Sequence, residues 1–379
     1  MSNAGKGVKE LFDEVINQGL CTGCGACITG CPYIVAHAGR VVVLDKCTGA
    51  DGDCYRHCPR TSFDIDGVNR AVFGTGYREG EIGQVLDIFL ARTKEPGIRE
   101  RAQDGGTVTS LLALALEEGL IDVVACTRMD EDKAPHGYLA KSRQELLQCA
   151  GSSYEAGFGL EAYRSLPKES TEKLAIVGTG CQTEAVGKMK QCSPKNSPDP
   201  QNIGLTLGLF CGWALSPRNF HPYLKTMCEL SQVCKFEIPH TPHYSFDFHL
   251  KNQDMRSVSL DEIKPYINPG CNYCWDLTAE FSDISIGSAG SAFPGWNTVL
   301  VRSPKGADII ALANRKDIFE TQPLPEKRLE HLKSVALKRK MTAVKKITEK
   351  SGSADDLLYL AACLNPSRIS SWLNGRIID

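Results

Sequence analysis

The chain has 379 residues, enough for two or three domains with a sizeable core, and its 43 basic and 45 acidic residues leave a formal charge of −2. That balance offers no polycationic face, so neither nucleic acid nor an anionic membrane is an expected partner. No charged-then-apolar leader opens the sequence, and the longest apolar run, 108–126, is broken by Glu117, Glu118 and Gly119, so no membrane span and a cytoplasmic location are expected.

Seventeen cysteines stand at spacings typical of metal sites, and their odd number argues against complete pairing as disulfides. A reducing, anaerobic cytoplasm is the setting they imply.

In chain order, residues 6–19 have apolar spacing suited to a short helix (Val8, Leu11, Phe12, Val15, Ile16). Cys21-Thr-Gly-Cys24-Gly-Ala-Cys27-Ile-Thr-Gly-Cys31-Pro32 follows, the bacterial ferredoxin run C-x2-C-x2-C-x3-C-P. Three closely spaced thiolates wrap one cubane, and the cysteine before proline turns to the other cluster. The second half, Cys47-Thr-Gly-Ala-Asp51-Gly-Asp53-Cys54-Tyr-Arg-His57-Cys58-Pro59, is one cysteine short. Exchange between the two halves gives cluster one Cys21, Cys24, Cys27 and Cys58. Cluster two then takes Cys31, Cys47 and Cys54, with Asp51 as candidate fourth ligand. A three-iron cluster, or ligation by Asp53 or His57, stays open, as does a plain turn role for the two aspartates beside Gly49 and Gly52. A ferredoxin-like α+β module is thus expected over 1–62. Residues 63–82, with four glycines and weak periodicity, read as a linker.

From residue 83 the pattern alternates as in an α/β core with partly parallel strands. Helices are expected over 83–92, 111–118, 155–165, 184–190 and 216–230, and strands over 121–126, 174–177 and 203–210. Cys181 and Cys211 fall just after apolar strands, at the edge where open α/β sheets bind ligands. Cys271 and Cys274 form a C-x2-C pair further on, so these four thiolates match the number one more cubane needs. Cys126, Cys149, Cys228 and Cys363 read as small packing residues, and Cys192 and Cys234 as plain cysteines.

Two glycine-rich stretches suit a cofactor. Gln103-Asp104-Gly105-Gly106-Thr107-Val-Thr109 offers free N–H groups, hydroxyls and a helix start for a phosphate, and is equally an ordinary N-cap. Gly287-Ser288-Ala-Gly290-Ser291, then Gly295-Trp296-Asn-Thr298, follows a short strand and permits close backbone approach. Neither a Rossmann fingerprint nor a Walker loop is present. Residues 325–350 form a basic amphipathic helix, either a solvated face or a partner-docking surface. A short helix over 354–364 and Trp372 complete a tail over 347–379.

From about Gly83 to Lys346 the chain resembles the beta subunits of coenzyme F420-reducing hydrogenases and dehydrogenases. The resemblance is carried by Ala102-Gln-Asp-Gly-Gly106, Ala150-Gly-Ser-Ser-Tyr154, Gly180-Cys-Gln-Thr183 and Gly208-Leu-Phe-Cys211. It continues through Gly270-Cys-Asn-Tyr-Cys-Trp-Asp276, Ala279-Glu-Phe-Ser-Asp-Ile284 and the 287–298 stretch. It implies an α/β core over 83–346 that binds FAD and a [4Fe–4S] cluster, with Cys181, Cys211, Cys271 and Cys274 as ligands. Gln103, Asp104, Gly105, Gly106, Thr107, Thr109, Gly287, Ser288, Gly290, Ser291, Gly295, Trp296 and Thr298 are implied around the flavin. With the N-terminal module the chain would hold two to three iron–sulfur clusters, mainly 4Fe–4S.

The expected activity is conversion between two-electron transfer with a hydride carrier, F420 or NAD(P)H, and one-electron transfer through clusters. The expected partners are ferredoxin or a hydrogenase, dehydrogenase or heterodisulfide-reductase-like subunit. The competing expectation is a ferredoxin-dependent reductase of an organic substrate, such as a vinyl group of a chlorophyll precursor.

Overall fold

The computed structural model describes residues 5–45, 47, 49, 51–192, 197–240, 242–353 and 357–360. Cys363, Trp372 and most of the tail helix expected over 354–364 lie outside these residues.

The N-terminal segment begins with one α-turn (Val8–Leu11) that widens into a π-turn (Phe12–Ile16). Leu11 and Val15 face inward and pack with Leu20, Ile28, Ile34, Val41 and Tyr55 around the cysteine loops. A hairpin of β1 (Ile34–His37) and β2 (Arg40–Val43) closes the module. Its core is small, as expected of so short a unit.

The stretch expected to be a linker is instead folded. Asp64 caps helix α1 (Ile65–Phe73) by accepting from the Gly67 N–H, and Gly74, at φ 78°, ends it. Ile65 and Val68 are fully buried. Helix α1 crosses a later helix at Gly187, where an added Cβ would lie 2.5 Å from Val68 Cγ1. The four glycines suggest looseness, yet Gly74 serves as a helix stop, and Gly187 on the later helix permits the close crossing.

The core is one eight-stranded sheet. Its strands are β3 (Asp87–Thr93), β4 (Val123–Met129), β5 (Pro135–Ala140), β6 (Leu174–Thr179) and β7 (Ile203–Leu209), then β11 (Ile284–Ser288), β12 (Asn297–Val301) and β13 (Phe319–Pro323). The order is β13-β3-β12-β11-β7-β6-β4-β5. The central run β11-β7-β6-β4 is parallel, and the strands outside it pair antiparallel. Residues 83–92, expected as a helix, hold β3. The run Ile88-Phe-Leu-Ala91 has two antiparallel partners and buries Leu90 and Ala91 completely, so strand pairing overrides the local helical pattern.

Helix α2 (Thr107–Glu117) follows β3, α3 (Gly180–Gln191) follows β6, and α4 (Pro304–Arg315) follows β12. The helix expected over 155–165 is a 3₁₀ turn, Gly159–Ser165. The helix expected over 216–230 stops at Lys225. Beyond it lies a small antiparallel sheet missed in the sequence: β8 (Val233–Glu237), β9 (Ser245–Leu250) and β10 (Met255–Ser259). Phe220, Phe236, Phe246 and Phe248 form its dry centre.

Helix α5 (Glu326–Ser351) is long and basic, yet it buries Ala336, Lys340, Ala343, Val344 and Ile347. Leu357, Tyr359 and Leu360 then pack with Phe63, Trp275 and Phe281. The start of the tail is therefore core rather than appendage. No helix among the described residues is long and apolar enough to cross a membrane.

Candidate redox site

The sheet topology gathers the functional loops on one edge. Because β6, β7 and β11 are parallel, the segments leaving their carboxyl ends emerge together: Cys181, Cys211 and the 288–297 loop. Strand β3 runs antiparallel to β12, with Ala91 opposite Asn297, so the 103–109 stretch starts from the same edge. This is where open α/β sheets accept ligands.

Cys21, Cys24, Cys27 and Cys58 line one cavity, walled by Leu11, Val15, Val41 and Phe158. The thiols are buried, and desolvation pushes Cys21 up to about 11 and Cys24 and Cys27 well above their ordinary value, with neighbouring thiols adding to the rise. A thiol so placed gives up its proton to a metal centre far more readily than to water. Gly23 and Gly25 sit at φ 70° and 90°, the backbone turns that let three thiols face one centre.

A second set surrounds Cys54, whose thiol burial raises to about 12 with Cys31, Cys47 and Asp53 as charged neighbours. Asp53 is buried and held by Arg56, while the partly exposed Asp51, at φ 65°, stands 3.8 Å from the same guanidinium. Both carboxylates face the Arg56 guanidinium, Asp53 buried beside Cys54 and Asp51 partly exposed. His57 is fully buried with Nδ1 3.3 Å from Thr29 Oγ1.

The third set assembles from distant parts of the chain. Cys181 opens α3 rather than lying in a loop, with Thr179 Oγ1 3.4 Å from its sulfur. Cys211 follows β7, its N–H donating to Leu277 O at 2.9 Å. Cys271 and Cys274 lie on the 3₁₀ turn Pro269–Tyr273 and its cap. Burial pushes Cys181 up to about 12, with Cys274 adding to the rise, and Cys211 well above its usual range, with Cys271, Cys181 and Cys274 adding to it. Gly180 is required here, since a Cβ would lie 2.7 Å from Asp276 O.

The sets adjoin one another. Cys54 bears on Cys27, Cys24 on Cys181 and Cys21 on Cys271, so they run in sequence from the hairpin module to the sheet edge. All described cysteines are free thiols. Among the described residues no group of three or more His, Cys, Asp or Glu converges to hold a single metal ion. Zinc draws its sulfurs to about 2.3 Å, whereas a cubane takes each thiolate on a different iron and holds them further apart. The buried thiols and the thiol-lined cavity fit iron–sulfur clusters.

The two glycine-rich stretches meet. Asn297 Oδ1 accepts from Thr107 Oγ1 at 2.8 Å and from the Thr107 N–H at 3.2 Å, and Asn297 Nδ2 donates to Gly287 O at 3.3 Å. Asp104 lies 3.1 Å from His240 Nε2, and Ser288 is near enough to lower its carboxyl pKa against the rise that burial causes. Gly105 has no room for a side chain beside Asn297 and Ala91 O, and Gly287 none beside the Phe210 ring. Arg92 stacks on Trp296 at 4.6 Å. Gln103 Oε1 and Arg328 Nε are buried without partners, and a Cβ at Gly295 would meet nothing. Unfilled polar valences beside open backbone fit a polar cofactor. Ser291 lies exposed on the same loop.

Several residues of the site carry no motif of their own. Helix α5 sends Arg328 Nη2 to Ala289 O and Arg339 Nη2 to Cys271 O, at 2.6 and 2.5 Å. Arg60 and Glu184 form a fully buried ion pair at 2.7 Å between the module and α3. The signals were faint: Arg60 directly follows Cys58-Pro59, and Glu184 sits three residues after Cys181.

Free, largely buried thiols in adjoining sets that reach the ligand edge of an α/β sheet define an iron–sulfur redox protein. Comparison with known proteins makes this specific. Residues 88–162 match the N-terminal and 171–327 the C-terminal region of the coenzyme F420 hydrogenase/dehydrogenase beta subunit, and 13–71 match a 4Fe-4S dicluster domain. The chain is 34% identical over 259 residues to the coenzyme F420 hydrogenase subunit beta of Methanosarcina barkeri, covering 65% of this chain and 84% of that one. It is 29% identical over 343 residues to a coenzyme F420-dependent sulfite reductase of Methanocaldococcus jannaschii, 86% of this chain but only 50% of that protein. A chain from the xenon-derivatised F420-reducing [NiFe] hydrogenase complex of Methanosarcina barkeri superposes with TM-score 0.63 and 27% identity, over 71% of this chain and 93% of that one. The chain belongs to the coenzyme F420 hydrogenase/dehydrogenase beta-subunit family of oxidoreductases and carries an N-terminal 4Fe–4S dicluster domain.

Proposed function

We propose that this chain is the flavin-bearing subunit at which F420 exchanges electrons with a larger redox complex. The observation that carries the reading is that the Cys271 turn is seated on the Cys21 loop, while Cys211 leaves β7 beside the strand that leads into the 288–297 loop, where the two glycine-rich stretches meet. In this reading Cys181, Cys211, Cys271 and Cys274 hold a third cubane. Residues 103–109 and 287–298 hold FAD, with Gln103, Arg328 and the open backbone at Gly295 as its polar contacts. Bound FAD supplies the exchange between hydride and single-electron chemistry. The protein's own residues orient it: Asn297 locks the two stretches together, Asp104 and His240 close one side, and Arg92 fixes Trp296. The functional unit spans 83–346, with the module at 1–62 as its outlet.

The relatives named as hydrogenase beta subunits favour a hydrogenase or dehydrogenase partner. A second reading has its own support. The sulfite reductase relative is matched over only half its length, which suits a unit of this kind feeding a reductase module.

Anaerobic purification with iron, sulfide and flavin determination tests the assignment. About twelve irons, fewer if cluster two is a three-iron form, and one FAD per chain are expected. Reduced F420 should then reduce a one-electron dye. Failure of F420H2 and NAD(P)H alike, with reduced ferredoxin driving reduction of an alkene, would replace this reading with that of a ferredoxin-dependent reductase.

A further inference from the structure

Arg60 is the most completely enclosed cation beside the thiol sets. Its side chain is 0% exposed, as is that of Glu184, its carboxylate partner among the described residues. Only Nη1 is used: it donates to Glu184 Oε2 at 2.7 Å and to Pro59 O at 3.3 Å. Nε and Nη2 are buried with no acceptor. The Tyr359 ring covers the guanidinium at 4.6 Å and closes it from solvent. Leaving buried N–H donors unused is costly, so an acceptor is expected to complete them.

Glu184 Oε1 is buried without a donor as well, and the surroundings supply a second acceptor. Arg60 lines the cavity of Cys21, Cys24, Cys27 and Cys58, and its charge also acts on Cys181, Cys271 and Cys274 of the third set. It therefore stands between the first ferredoxin-type centre and the core centre. We propose that the free Nε–H and Nη2–H of Arg60 hydrogen-bond to cluster sulfur at this junction, so that Arg60 sets the reduction potentials of the two centres between which the electron passes. The inference rests on the three-cluster reading above. Adding an electron makes a cluster more negative, and a fixed cation with N–H···S bonds stabilises that state over the oxidised one. Glu184 opposes the effect and holds the guanidinium in place, which makes Glu184 the positioning residue.

The test is a reductive titration followed by electron paramagnetic resonance on the full chain, purified anaerobically, with iron determined for each sample. Arg60→Met keeps the length of the side chain and removes charge and donors; the signals of both centres should move to more negative potential. Arg60→Lys should lie between that variant and the native protein, and Glu184→Gln should shift the same signals to more positive potential. Full iron content with unchanged potentials in Arg60→Met and Glu184→Gln overturns the proposal. If Arg60→Met fails to retain iron, Arg60→Lys and Glu184→Gln decide it in the same way. About eight irons in the native protein, with the same number retained in Cys271→Ser, would refute the core cluster itself, a failure read from the iron count and separate from any potential.

Discussion

Gly270 lies directly against the carbonyl of Cys21: a Cβ on Gly270 would fall 2.3 Å from Cys21 O and 2.7 Å from Leu20 O. The turn that presents Cys271 is thus seated on the loop that presents the first ferredoxin cysteine. Backbone bonds from Phe158 N to Gly23 O at 2.9 Å and from Leu160 N to Cys24 O at 3.1 Å complete the junction. The module is joined to the core through the cysteine loops themselves, which keeps the metal centres close.

Gly270→Ala should therefore cost about 1–3 kcal/mol through overpacking. The expected readout is a melting temperature lower by several degrees, with slower electron transfer from flavin to the ferredoxin-type centres. An unchanged melting temperature would mean that the junction is looser than its contacts imply.

Cys271→Ser should remove about four irons per chain and leave the ferredoxin-type signals in place. Iron analysis with electron paramagnetic resonance reads both. Loss of the ferredoxin signals as well would show that the sets depend on one another for assembly, which the Gly270 contact makes a fair second outcome to look for.

Much of this site was legible in the sequence. Cysteines 21, 24, 27 and 58 come together as the ferredoxin spacing demands, and Cys181 and Cys211 leave strand ends as expected. What the sequence concealed was tertiary in origin. Residues 83–92 carry a helical pattern, but two antiparallel neighbours make them β3. Residues 63–82 look loose because glycines were read as flexibility, when Gly74 stops a helix. The basic helix over 325–350 looked solvated because most of its charges are; Lys340, Arg328 and Arg339 are the exceptions, and their partners are remote in sequence.

Asn297→Ala removes the acceptor shared by the Thr107 N–H and hydroxyl, leaving buried donors at the seam between the two glycine-rich stretches. Such donors cost about 1–3 kcal/mol. The flavin-to-protein ratio should fall, and FAD binding should weaken on the order of tenfold or more. Iron content should be unchanged, which separates a flavin effect from unfolding.

Glu155 gives a pH test away from the cysteines. Burial raises its carboxyl above the ordinary value, against the lowering effect of His221, whose Nε2 lies 2.9 Å away; Asp130 adds a smaller rise. The folded chain thus holds a proton that the unfolded chain has released. Stability from this group is full below the unfolded pKa of about 4.3 and is lost as pH rises through the folded value. Glu155→Gln removes that slope, so its melting temperature relative to the native protein should rise between pH 4.5 and neutrality. A constant difference over that range would rule the mechanism out.

Lys340 and Glu280 form a buried pair at 2.8 Å, with side chains 1% and 2% exposed. Tyr77 donates to the other carboxylate oxygen at 2.6 Å, and Lys340 also donates to Gly80 O at 2.7 Å. Helix α5, the bridge after α1 and the loop after Cys274 are thereby held at one point. Lys340→Met leaves a buried carboxylate without its cation and should destabilise by about 3–5 kcal/mol. Adding Glu280→Gln removes the stranded charge, so the double variant should recover a clear part of that loss. Thermal denaturation of the two single variants and the double variant gives the coupling directly. Additive losses would mean that Lys340 acts through its contacts with Gly80 and Tyr77 rather than through Glu280.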